Sequence, residues 1–298
     1  MKTKLNNINA SSLFHFTRKI SVLQSIVKNG LRYSYAYEKY SPEVMSTIGQ
    51  NPALKGLKGN DNGVAIPMIS FCDIPITRAS VHMDKYGEYA IGFDKRIMIE
   101  VYDLIMNPVL YVSSDKLRKA MDDFSGLYTE SEMGVLKSMV DLAKKGKSSK
   151  SYEVNNLVSS FVERKYNMGF VVGLVKPIYD LSTNYCYYDE REWRVFWPNI
   201  NSKNKGWKWG VSQEEYNINK NEWNEQLAHE KNNYITFCEG LLASAITHIV
   251  VKKEVQIPKM IETLLQSKTI LGNRDISEEE RLILISKLTS LERIGLDY

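Results

Sequence analysis

Two glutamates stand close together late in the chain. Glu190 and Glu192 lie in the segment YYDEREWRVFW (187–197), whose pattern predicts a β-strand. Side chains two positions apart share one face of a strand, so we expect Glu190, Glu192 and Arg194 to project together. Two adjacent carboxylates raise the pKa of one of them, and Arg194 can offset this by pairing. The segment therefore predicts either a solvated, ion-paired face or a catalytic glutamate held by a neighbouring acid and base.

A histidine near the N-terminus is the second candidate. The segment LFHFT (13–17) alternates like a strand, which places His15 and Thr17 on the face opposite two phenylalanines. His15 fits either a satisfied, half-buried histidine or a ligand-binding residue. Thr17 also fits the N-cap of a helix predicted to begin near Arg18. The other histidines show no metal-ligand spacing, and we therefore predict no metal site.

Lysines and tryptophans alternate in the stretch 202–223, where Lys205 is followed by Trp207 and Trp209. Tryptophans beside lysines can stack and hold the bases of a single-stranded nucleic acid. A solvated hairpin with cross-strand aromatic pairs accounts for the same pattern. Both interpretations stay open from the residues alone.

The elements that must position these residues predict an α+β fold. Strands are expected over 13–17, 66–72, 89–93, 109–112, 170–175, 187–197 and 246–251, with antiparallel pairing. Helices are expected over about 18–29 and 77–86, and a long loop over 33–63. A helical insertion is predicted over about 115–165, with a basic hinge at 144–150, and a C-terminal helical tail over about 256–298. We expect a single domain spanning residues 1–298.

Composition narrows the class of protein. The 298 residues are 43% hydrophobic and 25% charged, which excludes a disordered or fibrous chain. The formal net charge of +4 permits an anionic partner without requiring one. Three widely spaced cysteines fit free thiols in a reducing compartment, and neither a secretory leader nor a membrane span is evident. We therefore predict a cytoplasmic protein with no membrane partner.

Five segments, in this order, resemble a known family. They are LFHFT with the following helix to NGL (13–31), IPMISFCDIP (66–75), YGEYAIGF (86–93), NPVLYV (107–112) and YDEREWR (188–194). The set resembles the abortive-infection phage-resistance proteins of the AbiGi type and, more distantly, DarT-like ADP-ribosyltransferases. The resemblance covers roughly residues 10–250, and its specific parts are the His-Phe-Thr start and the EREWR strand.

The more distant resemblance implies an ADP-ribosyltransferase-like fold, a split antiparallel β-sheet that holds NAD in a central cleft. By position, Glu192 would be the catalytic carboxylate, and either Glu190 or Glu192 itself would accept the proton of the incoming nucleophile. The residues expected to hold NAD are His15, Thr17, Ser70, Tyr86 and Arg194. Tyr33, Tyr35, Tyr37 and Tyr86 all compete to stack the nicotinamide.

The chemistry implied is cleavage of the nicotinamide–ribose bond through an oxocarbenium-like state that a carboxylate stabilises. We accordingly predict an NAD-dependent ADP-ribosyltransferase toxin of a phage-defence or toxin–antitoxin system. Its expected target is nucleic acid, RNA or single-stranded DNA, held by Lys205, Trp207 and Trp209. A cognate antitoxin, with or without a chaperone, is the expected protein partner. The alternatives are ADP-ribosylation of a protein, NAD hydrolysis, and a non-catalytic, antitoxin-like binding protein.

Overall fold

The computed structural model describes residues 10–39, 63–102, 106–113, 116, 138, 173–180, 184–196, 212–229, 242–274 and 276–297. In chain order the strands are β1 (Ser12–Thr17), β2 (Ser34–Lys39), β3 (Gly63–Cys72), β4 (Tyr89–Asp94), β5 (Met106–Pro108), β6 (Leu110–Val112), β7 (Val175–Pro177), β8 (Tyr179–Asp180), β9 (Tyr185–Cys186), β10 (Glu192–Phe196), β11 (Ile246–Val251), β12 (Thr269–Ile270), β13 (Asn273–Arg274) and β14 (Leu288–Ser290).

The helices, again in chain order, are α1 (Ile20–Asn29), α2 (Ser80–Tyr86), α3 (Lys95–Tyr102), α4 (Gln213–His229), α5 (Leu242–Ala245), α6 (Ile257–Gln266), α7 (Glu278–Ile285) and α8 (Leu291–Asp297). Short 3-10 turns cover Ile76–Arg78, Tyr187–Glu190 and Glu254–Gln256. No helix in these ranges combines the length and apolar character that a membrane span requires.

One mixed sheet organises the described chain. Its strand order is β14-β11-β4-β1-β3-β10-β5, and β2 also pairs with β3. The β11–β14 pair is parallel, whereas the other pairs of this sheet are antiparallel. The fold is therefore mixed α and β, as predicted, but its sheet is not wholly antiparallel.

An opening between β1 and β3 interrupts the sheet. Cys72 of β3 pairs with Glu192 on one side and with Phe14 on the other. Met68 likewise pairs with Phe196 on one side and Ser34 on the other. Strands β1 and β2 therefore lie along the same edge of β3, and β1 meets β3 only at its C-terminal end. Between these two contacts, neither β1 nor β2 pairs with this edge of β3, and side chains can enter the opening.

The largest apolar cluster lies on one side of this sheet, and a smaller cluster around Phe14 lies on the other side. Helix α1 buries Leu23, Ile26 and Val27 at helical spacing and contacts α6. The inward faces of β4 and β11 contribute Ile91, Phe93 and Ile249, among others. Packing on this core fixes β1, β3 and β10, from which the candidate site residues project.

Several predicted elements are confirmed. The strands at 13–17, 66–72, 89–93 and 246–251 are present, and β3 begins earlier, at Gly63. The helix after the first strand is also present. Ser277 and Glu280 form a capping box at the start of α7, in which the side chain of each accepts the backbone N–H of the other. The predicted C-terminal tail contains α6, α7 and α8, but β14 interrupts it and joins the sheet.

Other predictions are wrong. Residues 187–190 form a 3-10 turn, and the strand begins only at Glu192, because Arg191 adopts a left-handed conformation at φ +42°. Thr17 does not cap α1; it is still paired with Tyr89 in the sheet, and the helix begins at Ile20.

The tyrosine-rich stretch after residue 33 is not a loop throughout, because its first part forms β2 against β3. Of the predicted insertion at 115–165, only Lys116 and Ser138 lie within the described residues, and both are helical. The single-domain assignment stays a prediction.

Candidate functional site

A cleft of about 540 Å³ lies at the opening between β1 and β3. Its apolar walls are largely aromatic, and its polar groups converge at the inner end. The lining residues with polar or ionisable side chains include His15, Ser70, Tyr86, Lys176, Glu190 and Glu192. Residues from β1, β2, β3, β7, α2 and the segment 185–192 therefore meet at one site.

The structure brings together most of the predicted site residues. His15, Ser70, Tyr86, Glu190 and Glu192 all line the cleft. Arg194 is completely buried beside Glu192, and Thr17 is buried in β1 without lining the cleft. The three residues predicted to bind nucleic acid, Lys205, Trp207 and Trp209, lie outside the described residues.

His15 bridges the opening in the sheet. Its Nδ1 donates to the backbone carbonyl of Ser70 at 2.9 Å, which spans the gap between β1 and β3. This donation places the proton of the neutral imidazole on Nδ1. Burial lowers the pKa of His15, partly opposed by the Ser70 hydrogen bond, and the ring is neutral near pH 7.

Arg194 holds two carboxylates at the floor of the cleft. Its Nε donates to Glu192 Oε1 at 2.8 Å, and its Nη2 donates to Glu192 Oε2 at 2.9 Å. The same Nη2 lies 2.8 Å from Glu38 Oε1. Its Nη1 donates to the carbonyl of Gly173. The fully buried guanidinium thereby binds Glu192 in a fork and joins β10 to β2.

Lys176 is the second buried cation of the floor. Its Nζ lies 2.7 Å from Glu190 Oε2, 3.1 Å from Glu192 Oε2 and 3.7 Å from Glu38 Oε2. Burial alone would lower the pKa of Lys176, but Glu38 and Glu192 outweigh it and raise the pKa. Lys176 is therefore a fixed positive charge among three carboxylates.

The two glutamates are held ionised by these cations. Burial alone would raise the pKa of Glu192, but Arg194 and Lys176 outweigh it and hold the pKa well below its usual range. Burial likewise opposes ionisation of Glu190, and the charge of Lys176 is the largest influence that lowers its pKa. The repulsion expected between the two carboxylates is thus offset by shared cations.

Glu190 also receives donors from α2. Lys85 Nζ lies 2.8 Å from Glu190 Oε1, and Tyr86 donates its hydroxyl to the same oxygen at 2.7 Å. Burial and the nearby Glu190 raise the pKa of Tyr86, so its hydroxyl keeps its proton. The left-handed Arg191 directs Glu190, from the turn, and Glu192, from the strand, toward the same cleft.

Sequence reasoning missed Lys176, Glu38 and Lys85. Lys176 carries a recognisable signal, because it is a single charge directly after the apolar run FVVGLV (170–175). A lysine inside a buried segment requires a carboxylate partner. Glu38 and Lys85 lie far from Glu190 in sequence and give no local signal.

Two lysines of the cleft are not free to bind the phosphates of NAD. A dinucleotide pyrophosphate needs cations that are free to meet it. Lys85 and Lys176, two of the three lysines that line the cleft, are already paired with Glu190. Three carboxylates occupy the same inner end. NAD binding stays a prediction.

The arrangement offers neither a metal centre nor a reactive thiol. The described residues contain no group of three or more histidine, cysteine, aspartate and glutamate side chains placed to hold a metal ion. Cys72 lines the cleft, but burial and Glu192 raise the pKa of its thiol. What the site provides is a floor of paired carboxylates and cations beneath aromatic walls.

Comparison with known proteins identifies a family. A family model described as "Putative abortive phage resistance protein AbiGi, antitoxin" matches residues 57–238. The matched range includes β3, α2, the turn at 187–190 and β10. No curated protein and no solved structure matches the chain. The ADP-ribosyltransferase-like fold and the DarT-like resemblance thus have no support from a structural relative.

The family description corrects two predictions. It names an antitoxin, which points away from the predicted NAD-dependent ADP-ribosyltransferase toxin. It also reverses the expected partnership, because an antitoxin has a toxin as its partner. The link to antiviral defence, in contrast, agrees with the prediction. The family model covers more than half of the chain, and the chain therefore belongs to the AbiGi family of abortive phage resistance proteins.

Proposed function

We propose that this chain is the antitoxin of a phage-defence system and that it restrains a toxin by binding it, without catalysis. The family description supplies the functional class. The observation that carries the non-catalytic part is the occupation of both candidate carboxylates by internal donors.

A glutamate that stabilises a transition state must present an oxygen to the reacting group. Both carboxylate oxygens of Glu192 instead accept hydrogen bonds from Arg194, and Oε2 also accepts one from Lys176. One carboxylate oxygen of Glu190 accepts hydrogen bonds from Lys85 and Tyr86, and the other accepts one from Lys176. These contacts satisfy the carboxylates as a structural network, which suits a preformed binding surface.

The surface beside the cleft also suits protein binding. Tyr179 and Tyr188 flank the strand that carries Tyr185, and their exposed fractions are 55% and 54%. Tyrosines are prominent among the residues that dominate protein–protein binding energy. The exposed tyrosines beside the cleft therefore support a protein as the partner.

A growth assay tests the proposal. Cells that express the toxin of the same defence locus should recover growth when the chain is co-expressed. Glu192→Gln should still restore growth, because the carboxylate serves the floor and performs no chemistry. Glu192→Asp, which keeps the charge, is the second variant if the first fails to fold by circular dichroism. Tyr185→Ala at the mouth of the cleft should weaken the rescue.

Two outcomes would overturn the proposal. The first is a chain that does not restore growth although both proteins are expressed and folded. The second is complete loss of rescue in folded Glu192→Gln and Glu192→Asp, together with transfer of label from labelled NAD by the unchanged protein. A remote exposed change, Val255→Ser, is the matched control, because Val255 is 81% exposed and does not line the cleft.

A further inference from the structure

The mouth of the cleft holds a cation among aromatic rings. Lys85 Nζ lies 4.0 Å from the ring centroid of Tyr185 and 5.0 Å from those of Tyr86 and Tyr187. A cation within about 6 Å of an aromatic face is attracted by the ring quadrupole. Three such rings around one ammonium form an aromatic cage, here named the tyrosine cage (Tyr86, Tyr185 and Tyr187).

A carboxylate completes this cage. Glu190, which is 1% exposed, accepts from the same Lys85 ammonium at 2.8 Å. Tyr86 donates its hydroxyl to that oxygen and is thereby fixed in place. The cage therefore combines aromatic faces with a buried negative charge, the pair of features that recognises an ammonium group.

The buried groups at the floor of the cleft carry one net negative charge among themselves. Its carboxylates are Glu38, Glu190 and Glu192, and its buried cations are Lys176 and Arg194. Three negative and two positive charges leave one negative charge, which Lys85 neutralises from the mouth. The side chain of Lys85 is 38% exposed, whereas that of Lys176 is 6% exposed. Lys85 is therefore the cation of the network that solvent and a partner can reach.

We propose that the tyrosine cage is the binding site for a lysine side chain of the partner protein, and that Lys85 occupies it in the free chain. The inference rests on the proposed antitoxin function. On binding, the partner's ammonium takes the place between the rings and against Glu190, and the Lys85 side chain moves into solvent. The exchange replaces one ammonium by another, so the charge of the floor is unchanged.

The surroundings of the cage favour a protein over a free amine. The paired strands β8 and β9 carry Tyr179, which is 55% exposed, and Tyr185, respectively. Tyr188, directly after the cage residue Tyr187, is 54% exposed and packs edge-on against Tyr111. A lysine entering the cage would place the neighbouring residues of its own chain on these aromatic side chains.

Chemical rescue of an emptied cage tests the inference in the purified chain. Lys85→Ala should bind n-butylammonium, detected as a saturable rise in the thermal midpoint and a change in tyrosine fluorescence. The unchanged chain should bind it at least about tenfold more weakly, because its own lysine competes. The uncharged n-butanol should produce neither signal. Lys85→Ser is the second variant if Lys85→Ala fails to fold.

Lys95→Ala is the matched control. Lys95 also pairs with a carboxylate, Asp73, and its Nζ lies 5.2 Å from the ring centroid of Trp193, but it does not line the cleft. This variant should respond to n-butylammonium no more than the unchanged chain does. An equal response of Lys85→Ala and Lys95→Ala, or an equal effect of n-butanol, would overturn the inference.

Measurements of toxin binding by the variants distinguish this inference from the proposed function. Lys85→Ala should bind the toxin several-fold more tightly, because the internal competitor is removed, whereas Lys85→Ala with Tyr185→Ala should reverse that gain. Unchanged toxin affinity in Lys85→Ala contradicts the inference while leaving the antitoxin function intact. Rescue by n-butylammonium together with no toxin binding by any variant contradicts the antitoxin function instead.

Discussion

Removal of the Lys176 ammonium should destabilise the folded chain strongly. The Nζ of Lys176 lies 2.7 Å from Glu190 and 3.1 Å from Glu192, and the side chains of both glutamates are at most 7% exposed. Lys176→Met keeps the length of the side chain and leaves two buried carboxylates without a shared partner. Loss of one member of a buried ion pair costs about 3–5 kcal/mol, so we expect the free energy of unfolding to fall by about that amount near pH 7.

The pH dependence identifies the cause of this loss. The pKa values of Glu190 and Glu192 are lowered in the folded chain, so their stabilising effect is present above the unfolded value of about 4.3 and is lost as the pH falls. In Lys176→Met those pKa values rise, and the difference in unfolding free energy between the two proteins should shrink as the pH falls toward 4. Urea unfolding at several pH values measures both quantities.

A surface ion pair provides the comparison for Lys176. Lys252 and Glu88 lie 2.6 Å apart, but their side chains are 42% and 44% exposed. Solvent screens such a pair, so Lys252→Met should cost far less than Lys176→Met. A similar loss of stability in the two variants, or a loss in Lys176→Met that does not depend on pH, would show that the unpaired buried carboxylates are not its cause.

Three smaller effects follow from the same geometry. Arg191 has a φ of +42°, so Arg191→Val should cost about 1–2 kcal/mol more than Arg191→Gly in urea unfolding; equal costs would show that the left-handed turn is unimportant. A Cβ on Gly173 would lie 2.7 Å from the Phe196 ring, and Gly173→Ala should therefore cost about 1–3 kcal/mol, with an unchanged midpoint as the contrary result. Burial lowers the pKa of His15, so folding stability should decrease as the pH falls below about 6.5; His15→Gln should reduce that decrease, and an identical pH profile would contradict the assignment.

Local sequence patterns predicted the elements that bury their own residues. Alternation predicts β1, short apolar segments predict β4 and β11, and helical spacing predicts α1, because the core requires their apolar side chains. The capping box before α7 is a contact within four residues, so it too can be read locally. These features depend on residues that are close in sequence, so local patterns are sufficient to predict them.

Features that depend on distant partners were mispredicted or missed. The tyrosine-rich segment that became β2 lacks clear alternation, and its pairing with β3 decides its conformation. Arg191 interrupts the predicted strand because its backbone is left-handed, and an arginine in the sequence does not predict that conformation. Glu190 and Glu192 were found from their spacing, but their pairing with Lys176 and Lys85 spans 14 to 105 positions. The spacing alone leaves an ion-paired face and a catalytic glutamate open, and the distant family resemblance is what implies catalysis.

The mass of the assembled proteins tests the central claim most directly. The purified chain, mixed with the toxin of its own defence locus and with NAD, should form a complex whose native mass is the sum of the intact chains. After denaturation, the mass of each separate chain should be unchanged, because the cleft binds and does not react. A covalent addition to the toxin, seen with the unchanged chain and absent with folded Glu192→Gln, would contradict the account.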